Sequence, residues 1–203
     1  MILVDFSQVM ISNIMMQLSN NDSKLDEDMV RHMVLSSLRL YKRKFGAEYG
    51  ELVICADGPS YWRRQVFPHY KAGRKKAREN SDLDWTLIFD TLSEMREDIA
   101  KHFPYKVIHL DRAEADDVIA VLAKYTQDHD LVREGLMEEP QKVLILSSDG
   151  DFFQLQKFPN VSQYSPMQKK YIKVNKKELH EKYITHVVKA GDDGIPNILS
   201  PDD

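Results

Sequence analysis

Cysteine is nearly absent from this chain of 203 residues: Cys55 stands alone. That excludes an internal disulfide and any cysteine-rich zinc site, and leaves the thiol to pack as a small hydrophobe. Long apolar runs are missing too. None approaches the roughly 20 residues a membrane helix needs, and the opening MILVDFSQVM lacks the basic segment of a signal peptide, so the expectation is a cytoplasmic protein. No histidine pair has zinc spacing, and no Gly-rich Walker loop is present, which disfavours a nucleotide triphosphatase. Internal repeats and low-complexity tracts are likewise absent. Charge of one sign is not in large excess: the net of −4 by itself argues weakly against a nucleic-acid partner, although it averages over segments that face different ways.

What remains is an ordinary soluble composition, 42% hydrophobic and 30% charged, in a length that suits one globular domain with a sizeable core. Four short apolar runs stand out: MILV (1 to 4), ELVIC (51 to 55), KVIHL (106 to 110) and KVLIL (142 to 146). They lack polar alternation, as strands buried on both faces of a parallel sheet do. Between them, apolar residues recur at helical spacing: Met29, Val30, Met33, Val34, Leu38, Tyr41 and Phe45; then Ile88, Leu92, Met95 and Ile99; then Val118, Ile119 and Leu122. Strands alternating with helices predict an α/β fold around a mostly parallel sheet.

Each run leads into an acid. Asp5, Asp57 and Asp111 follow the first three, Asp149 and Asp151 the fourth, and the predicted helix near Ala113 opens with EADD. Ligands of open α/β sheets bind beyond the carboxyl ends of the strands, so parallel strands would gather these acids at one edge. On the helix, Glu114 and Asp117 share a face, with Asp116 about a hundred degrees round. Singly, each acid reads as a turn or helix cap, and Asp111 keeps that reading. Together they would repel by several kcal/mol at an effective dielectric of about 20 unless cations lie among them. Hard cations with oxygen ligands, Mg²⁺ or Mn²⁺, suit such a cluster, and two of them about 4 Å apart suit phosphodiester hydrolysis. Gly150, between Asp149 and Asp151, is expected to give the backbone room to turn both carboxylates inward.

A second feature is the basic segment YWRRQVFPHYKAGRKKAREN (61 to 80), read as loop or exposed helix, where Arg63, Arg64, Lys71, Arg74, Lys75, Lys76 and Arg78 face Glu79 alone. Its aromatics could stack on bases or anchor the segment to the core, and for Trp62 both readings stand. Lys71 and Arg74, three apart, could reach a scissile phosphate and stabilise transition-state charge. Residues 168 to 189 carry another lysine-rich run.

Five blocks, LVDFSQ (3 to 8), ICADGPSYWRR (54 to 64), FPHYKAGRKKARE (67 to 79), AEADDVIAVL (113 to 122) and SSDGDFFQLQKFPNV (147 to 161), resemble the flap-endonuclease-like 5′-nuclease family in that family's order. The resemblance implies a PIN-like 5′-nuclease core over residues 1 to 189, with helices on both faces of the sheet and a basic arch or clamp at about 61 to 82. It implies metal ligation by Asp5, Asp57, Glu114, Asp116, Asp117, Asp149, Asp151 and Asp193, with two Mg²⁺ ions (Mn²⁺ as a substitute). Lys71 and Arg74 would contact the scissile phosphate, and Arg63, Arg64, Tyr70, Lys75, Lys76 and Arg78 would bind nucleic acid. The implied work is 5′→3′ exonuclease and flap cleavage that removes RNA primers and adjoining DNA from Okazaki fragments in phage DNA replication. Implied partners are branched or 5′-flap DNA, RNA–DNA hybrid and a single-stranded-DNA-binding replication protein, met by a monomer in the host cytoplasm. Residues 190 to 203 would begin a helix–turn–helix duplex grip; there AGDDGIPN compresses the family's acid spacing and leaves Asp192 and Asp193 as alternatives. Two other readings are a PIN-type ribonuclease acting on free RNA and a branched-DNA-binding protein with impaired catalysis.

Overall fold

The computed structural model describes residues 1–20, 25–81, 83–128, 132–175, 177 and 179. Six strands form one sheet in the order β3-β2-β1-β4-β5-β6. These are β1 (Ile2–Asp5), β2 (Leu52–Ala56), β3 (Lys106–His109), β4 (Val143–Leu146), β5 (Val161–Ser165) and β6 (Lys170–Ile172). All neighbours are parallel except the β5–β6 pair. The four predicted strands fall where the apolar runs stand. The helices are α1 (Phe6–Asn20), α2 (Glu27–Tyr49), α3 (Trp62–Val66), α4 (Ala72–Glu79), α5 (Trp85–His102) and α6 (Ala115–Tyr125), with a 3-10 helix at Gly150–Lys157.

Period-two alternation explains the layering. Ile2, Val4, Leu52, Ile54, Leu144 and Leu146 point to one face, where α1, α2 and α5 pack. Leu3, Val53, Cys55, Val143 and Ile145 point to the other, against α6 and the 3-10 helix. With both faces covered, β1, β2 and β4 are buried along their whole length, as unalternated runs require. Burial pushes the Cys55 thiol up to about 12, so it remains protonated and inert.

Two long helices carry the predicted stripes. In α2, Val30, Val34, Leu38, Tyr41 and Phe45 are buried, and Asp26 caps the first turn by accepting from the Met29 N–H at 2.8 Å. In α5, Asp84 accepts from the Leu87 N–H at 2.9 Å, and Ile88, Leu92, Met95 and Ile99 face inward. Arg31 ties the two together, pairing with Glu27, Glu94 and Asp98 at 2.7, 2.6 and 2.9 Å. No helix among the described residues is long and apolar enough to cross a membrane.

The connectivity places the site. From central β1 the chain lays β2 and β3 on one side, then returns to lay β4 and β5 on the other. Loops leaving β1 and β4 therefore part company above adjacent strand ends and open a crevice at the reversal point, where ligands of such sheets bind.

Candidate metal and nucleic-acid site

Asp5 ends β1 at that reversal point and is only 5% exposed. Its carboxylate accepts from the Ser147 hydroxyl at 3.0 Å and the Gln8 N–H at 3.3 Å. Two donors do not offset so deep a burial: desolvation first, then the fields of Asp116 and Asp57, hold its pKa well above the ordinary range. Asp57 follows β2 and accepts the Ala115 N–H at 2.9 Å, tying that loop to the start of α6. Asp116, half-buried in the first turn of α6, is pushed up to about 7 by burial and by Asp149, with Lys71 pulling the other way. Asp149 accepts from the Asp151 N–H at 2.9 Å and so caps the 3-10 helix. Carboxylates from three strand ends, Asp5, Asp57 and Asp149, are thus each linked electrostatically to Asp116 at the helix start.

The loop bearing Asp149 is held from beneath. Ser147 Oγ accepts the Asp149 N–H at 3.1 Å while donating to Asp5, and the buried Gln163 amide donates to the carbonyls of Ser147 and Asp149 at 3.0 and 2.7 Å. The expected role of Gly150 is corrected here. A Cβ there would meet only the Phe153 ring at 3.6 Å, an ordinary contact, so the turn comes from Asp149 capping. Gly58 is the position that needs glycine: a Cβ would fall 2.1 Å from the Leu110 carbonyl oxygen, because the Gly58 N–H is drawn to the Ala113 carbonyl at 2.8 Å. Asp111 is exposed and accepts from Ser60 at 2.9 Å; it caps nothing, since Glu114 is the cap residue of α6.

Glu114 and Asp117 behave differently from the other four acids. Glu114, 1% exposed, accepts from Arg63 at 2.6 Å, Lys71 at 2.6 Å and the Tyr70 hydroxyl at 3.0 Å. Asp117 takes both terminal nitrogens of Arg63 at 2.9 and 2.8 Å, the Trp62 indole N–H at 3.1 Å and the Glu114 backbone N–H at 3.1 Å. Burial pulls the Asp117 pKa upward, but Arg63 leads the donors that outweigh it and hold it below the ordinary range. In this conformation both acids are satisfied by protein cations.

The basic segment therefore divides. It forms α3 and α4, and two of its residues expected on nucleic acid, Arg63 and Tyr70, turn onto carboxylates in this conformation, because a buried acid attracts the nearest donors. For Trp62 the indole N–H is committed to Asp117, while the residue as a whole stays 43% exposed. Lys71 sits in the left-handed region at φ 57, a strained turn before α4 that aims its ammonium at Glu114 beside Asp116. Arg64 and Arg74 are exposed, Arg64 lying 5.1 Å over the Tyr61 ring, while Arg78 lies 5.3 Å from the Phe89 ring centroid. The side chains of Lys75 and Lys76, and the whole of Asp192 and Asp193, lie outside the described residues.

Among the described residues no three acids, histidines or cysteines stand close enough to ligate one ion as placed. The donor chemistry nonetheless fits a hard divalent cation. Asp5, Asp57, Asp116 and Asp149 offer only carboxylate oxygens, and burial first, then the fields of neighbouring acids, shift Asp5 and Asp116 upward, a strain that a cation among them would relieve. Sequence reading missed Ser147, Gln163 and Gly58. The hydroxyl pair at 147 and 148 and a lone amide within VSQYS were the available signals.

Residues 1–184 match the family model described as 5′-3′ exonuclease, N-terminal resolvase-like domain. A ribonuclease H of Enterobacteria phage T4 is 37% identical over 191 residues, covering 93% of this chain and 59% of that protein. A flap endonuclease Xni of Shewanella sp. (strain MR-4) is 32% identical over 157 residues, 72% of this chain and 52% of the relative. This chain thus spans somewhat more than half the length of each. Among solved structures, the T5 5′-exonuclease with bound divalent zinc superposes with a TM-score of 0.61 at 19% identity, over 90% of this chain and 60% of that one. The T5 flap endonuclease in a pseudo-enzyme-product complex with DNA and metal ions also gives 0.61, at 18% identity, over 89% and 60%. At such identities the structural likeness establishes the fold, and the matched family model establishes kinship: the chain belongs to the 5′-3′ exonuclease family, as its N-terminal resolvase-like domain.

Proposed function

We infer that this chain is the catalytic region of a divalent-metal-dependent 5′ nuclease, acting as 5′→3′ exonuclease and flap endonuclease on branched DNA and on RNA annealed to DNA. One observation carries the reading: Asp5, Asp57, Asp116 and Asp149 share one field at the sheet's reversal point, with Lys71 beside them. These four, with Asp151 at the rim and Asp193 as a further candidate, would hold Mg²⁺ or Mn²⁺, and two ions suit the reaction. When bound, such ions supply Lewis-acid stabilisation of phosphoryl charge and lower the pKa of a water.

The chain's own groups do the rest. Ser147 and Gln163 fix the Asp149 loop, so its carboxylate is positioned before substrate arrives. Lys71 presents an ammonium at the acid cluster, where it can hold a non-bridging phosphate oxygen. Arg74, exposed within a turn of Lys71 in sequence, and Arg64 add positive charge at the entrance and draw in a polyanion. The related T4 protein is named a ribonuclease H and the Shewanella relative a flap endonuclease, which supports primer and flap removal during phage DNA replication in the host cytoplasm. A single-stranded-DNA-binding replication protein is the proposed partner.

The test is cleavage of a 5′-labelled flap duplex, an RNA–DNA hybrid and free single-stranded RNA by this chain with Mg²⁺, Mn²⁺ or EDTA. Metal-dependent cutting of the first two is expected. Preference for free RNA would favour a PIN-type ribonuclease, and flap binding without cutting at any Mg²⁺ or Mn²⁺ concentration a non-catalytic branched-DNA binder.

A further inference from the structure

On the face of the sheet covered by α1 and α2, two cavities of about 360 and 440 Å³ open side by side. They share Asn13, Met16, Ser37 and Lys169, so they are the two ends of one groove between α1, α2 and the β5–β6 turn. Asn13 bridges the two helices there, donating to Ser37 Oγ at 2.9 Å. The lining is largely apolar, with Met16, Met33, Leu40 and Pro166, and Leu40 stands 52% exposed. No carboxylate among the described residues lines the groove, and none of the metal-site acids reaches it.

We propose that this groove docks an acidic peptide segment of a partner protein, with two apolar side chains seated in the cavities and carboxylates on Lys44 and Lys169. Charge points to an acidic occupant, since two lysines line a groove without acids in a chain whose net charge is −4. Both lysines are placed in advance. Lys44 donates to the Tyr164 hydroxyl at 2.6 Å and lies 4.3 and 5.0 Å from the Tyr164 and Phe45 ring centroids, so its ammonium has little freedom left to lose. Lys169 stands at φ 52, a left-handed turn position that glycine or asparagine fills at lower cost, so its side chain has a use there. The lining selects peptide over nucleic acid. A phosphate backbone brings no apolar group to fill methionine- and leucine-lined space, whereas methionines adapt to varied side chains. Unpaired bases need an open ring to stack on, but the groove's Tyr41 and Tyr164 are only 6% and 4% exposed. The proposal stands independently of the nuclease reading.

The experiment is fluorescence polarisation with labelled aspartate-rich peptides carrying two leucines at helical or at extended spacing. Controls replace the aspartates by asparagine or the leucines by serine, and a labelled blunt DNA duplex is run beside them. The native chain is expected to bind one acidic leucine peptide, about tenfold more tightly than either control and more weakly as salt rises. Leu40→Glu and Lys169→Glu should each weaken that binding about tenfold, while Leu40→Met and Lys169→Arg keep it. Circular dichroism melts confirm that the variants fold, and their metal-dependent flap cleavage should match the native chain. Failure of the native chain to take up either acidic peptide, no preference for it over the controls, or equal binding by native and glutamate variants overturns the proposal. So does a loss confined to duplex binding and flap cleavage, which would give the groove to nucleic acid. Absence of cleavage by the native chain, with peptide binding as described, sinks the nuclease reading alone.

Discussion

Arg63 holds Asp117 with both terminal nitrogens, at 2.9 and 2.8 Å, and the same Nη1 reaches Glu114 at 2.6 Å. A residue of α3 thereby fastens the basic segment to the first turn of α6, so the two features most visible in the sequence form one construction. Arg63→Ala leaves Asp117 without its fork and Glu114 short of one cation. Because both Arg63 and Asp117 keep about a quarter of their surface in water, the expected loss is about 1–2 kcal/mol, below that of a fully buried pair. Arg63→Lys should recover only part of it, since an ammonium cannot match a fork. Urea unfolding of the three chains measures this; equal midpoints would refute the anchoring role.

Asp5 and Asp116 carry raised pKa values in the folded chain, Asp116 at about 7. Each therefore holds its proton longer when folded than when unfolded. The stability this contributes is complete below about pH 4 and drains away as pH rises toward 7. In EDTA the melting temperature should fall between pH 5 and pH 8, and Asp116→Asn should flatten the fall by on the order of 2 kcal/mol. Mg²⁺ should raise the melting temperature most at pH 8, where the acids are charged. A metal effect that is the same at pH 5 and pH 8 would contradict the field described here.

Asp149→Asn keeps the cap geometry but removes a charge from the site. Cleavage of a 5′ flap should drop at least about a hundredfold, with flap binding within a few fold of native. The same pattern is expected for Asp116→Asn. Undiminished single-turnover rates in either variant would remove these residues from the reaction.

Lys71 lowers the pKa of Asp116 through its field. Lys71→Ala should therefore do two things: slow cleavage by about a hundredfold, and shift the acid limb of the pH–rate profile to higher pH. A slower rate on an unmoved profile would leave Lys71 a phosphate contact without influence on the acids.

Two glycines predict opposite outcomes. Gly58→Ala drives a methyl into the Leu110 carbonyl and should destabilise by about 2–3 kcal/mol, visible in a thermal melt. Gly150→Ala, facing only the Phe153 ring at 3.6 Å, should lie within about 0.5 kcal/mol of native. A reversed ranking would show that the loop carrying Asp149 depends on glycine after all.

The sheet was legible because its central strands are apolar on both faces, and the acids because each follows such a run. α2 and α5 were legible from single-face stripes. α1 was not, since Ile11, Met15, Met16 and Leu18 blur the stripe of Val9, Met10 and Ile14. β5 was hidden by Gln163, a polar residue buried to anchor the Asp149 loop, and β6 by being three residues long. Arg63 and Tyr70 could not be told from solvent-facing cations and aromatics, because their partners lie 44 to 54 residues away along the chain. Charge, placed by type alone, does not reveal which neighbour it meets in space.

The sheet's outer strands, β3 and β6, run four and three residues, and each opens on an exposed lysine, Lys106 and Lys170. Such short, charged borders offer a poor template for a foreign strand. Within the described residues, then, neither border of the sheet invites a further strand, and crowding many copies together should not zip them into fibres.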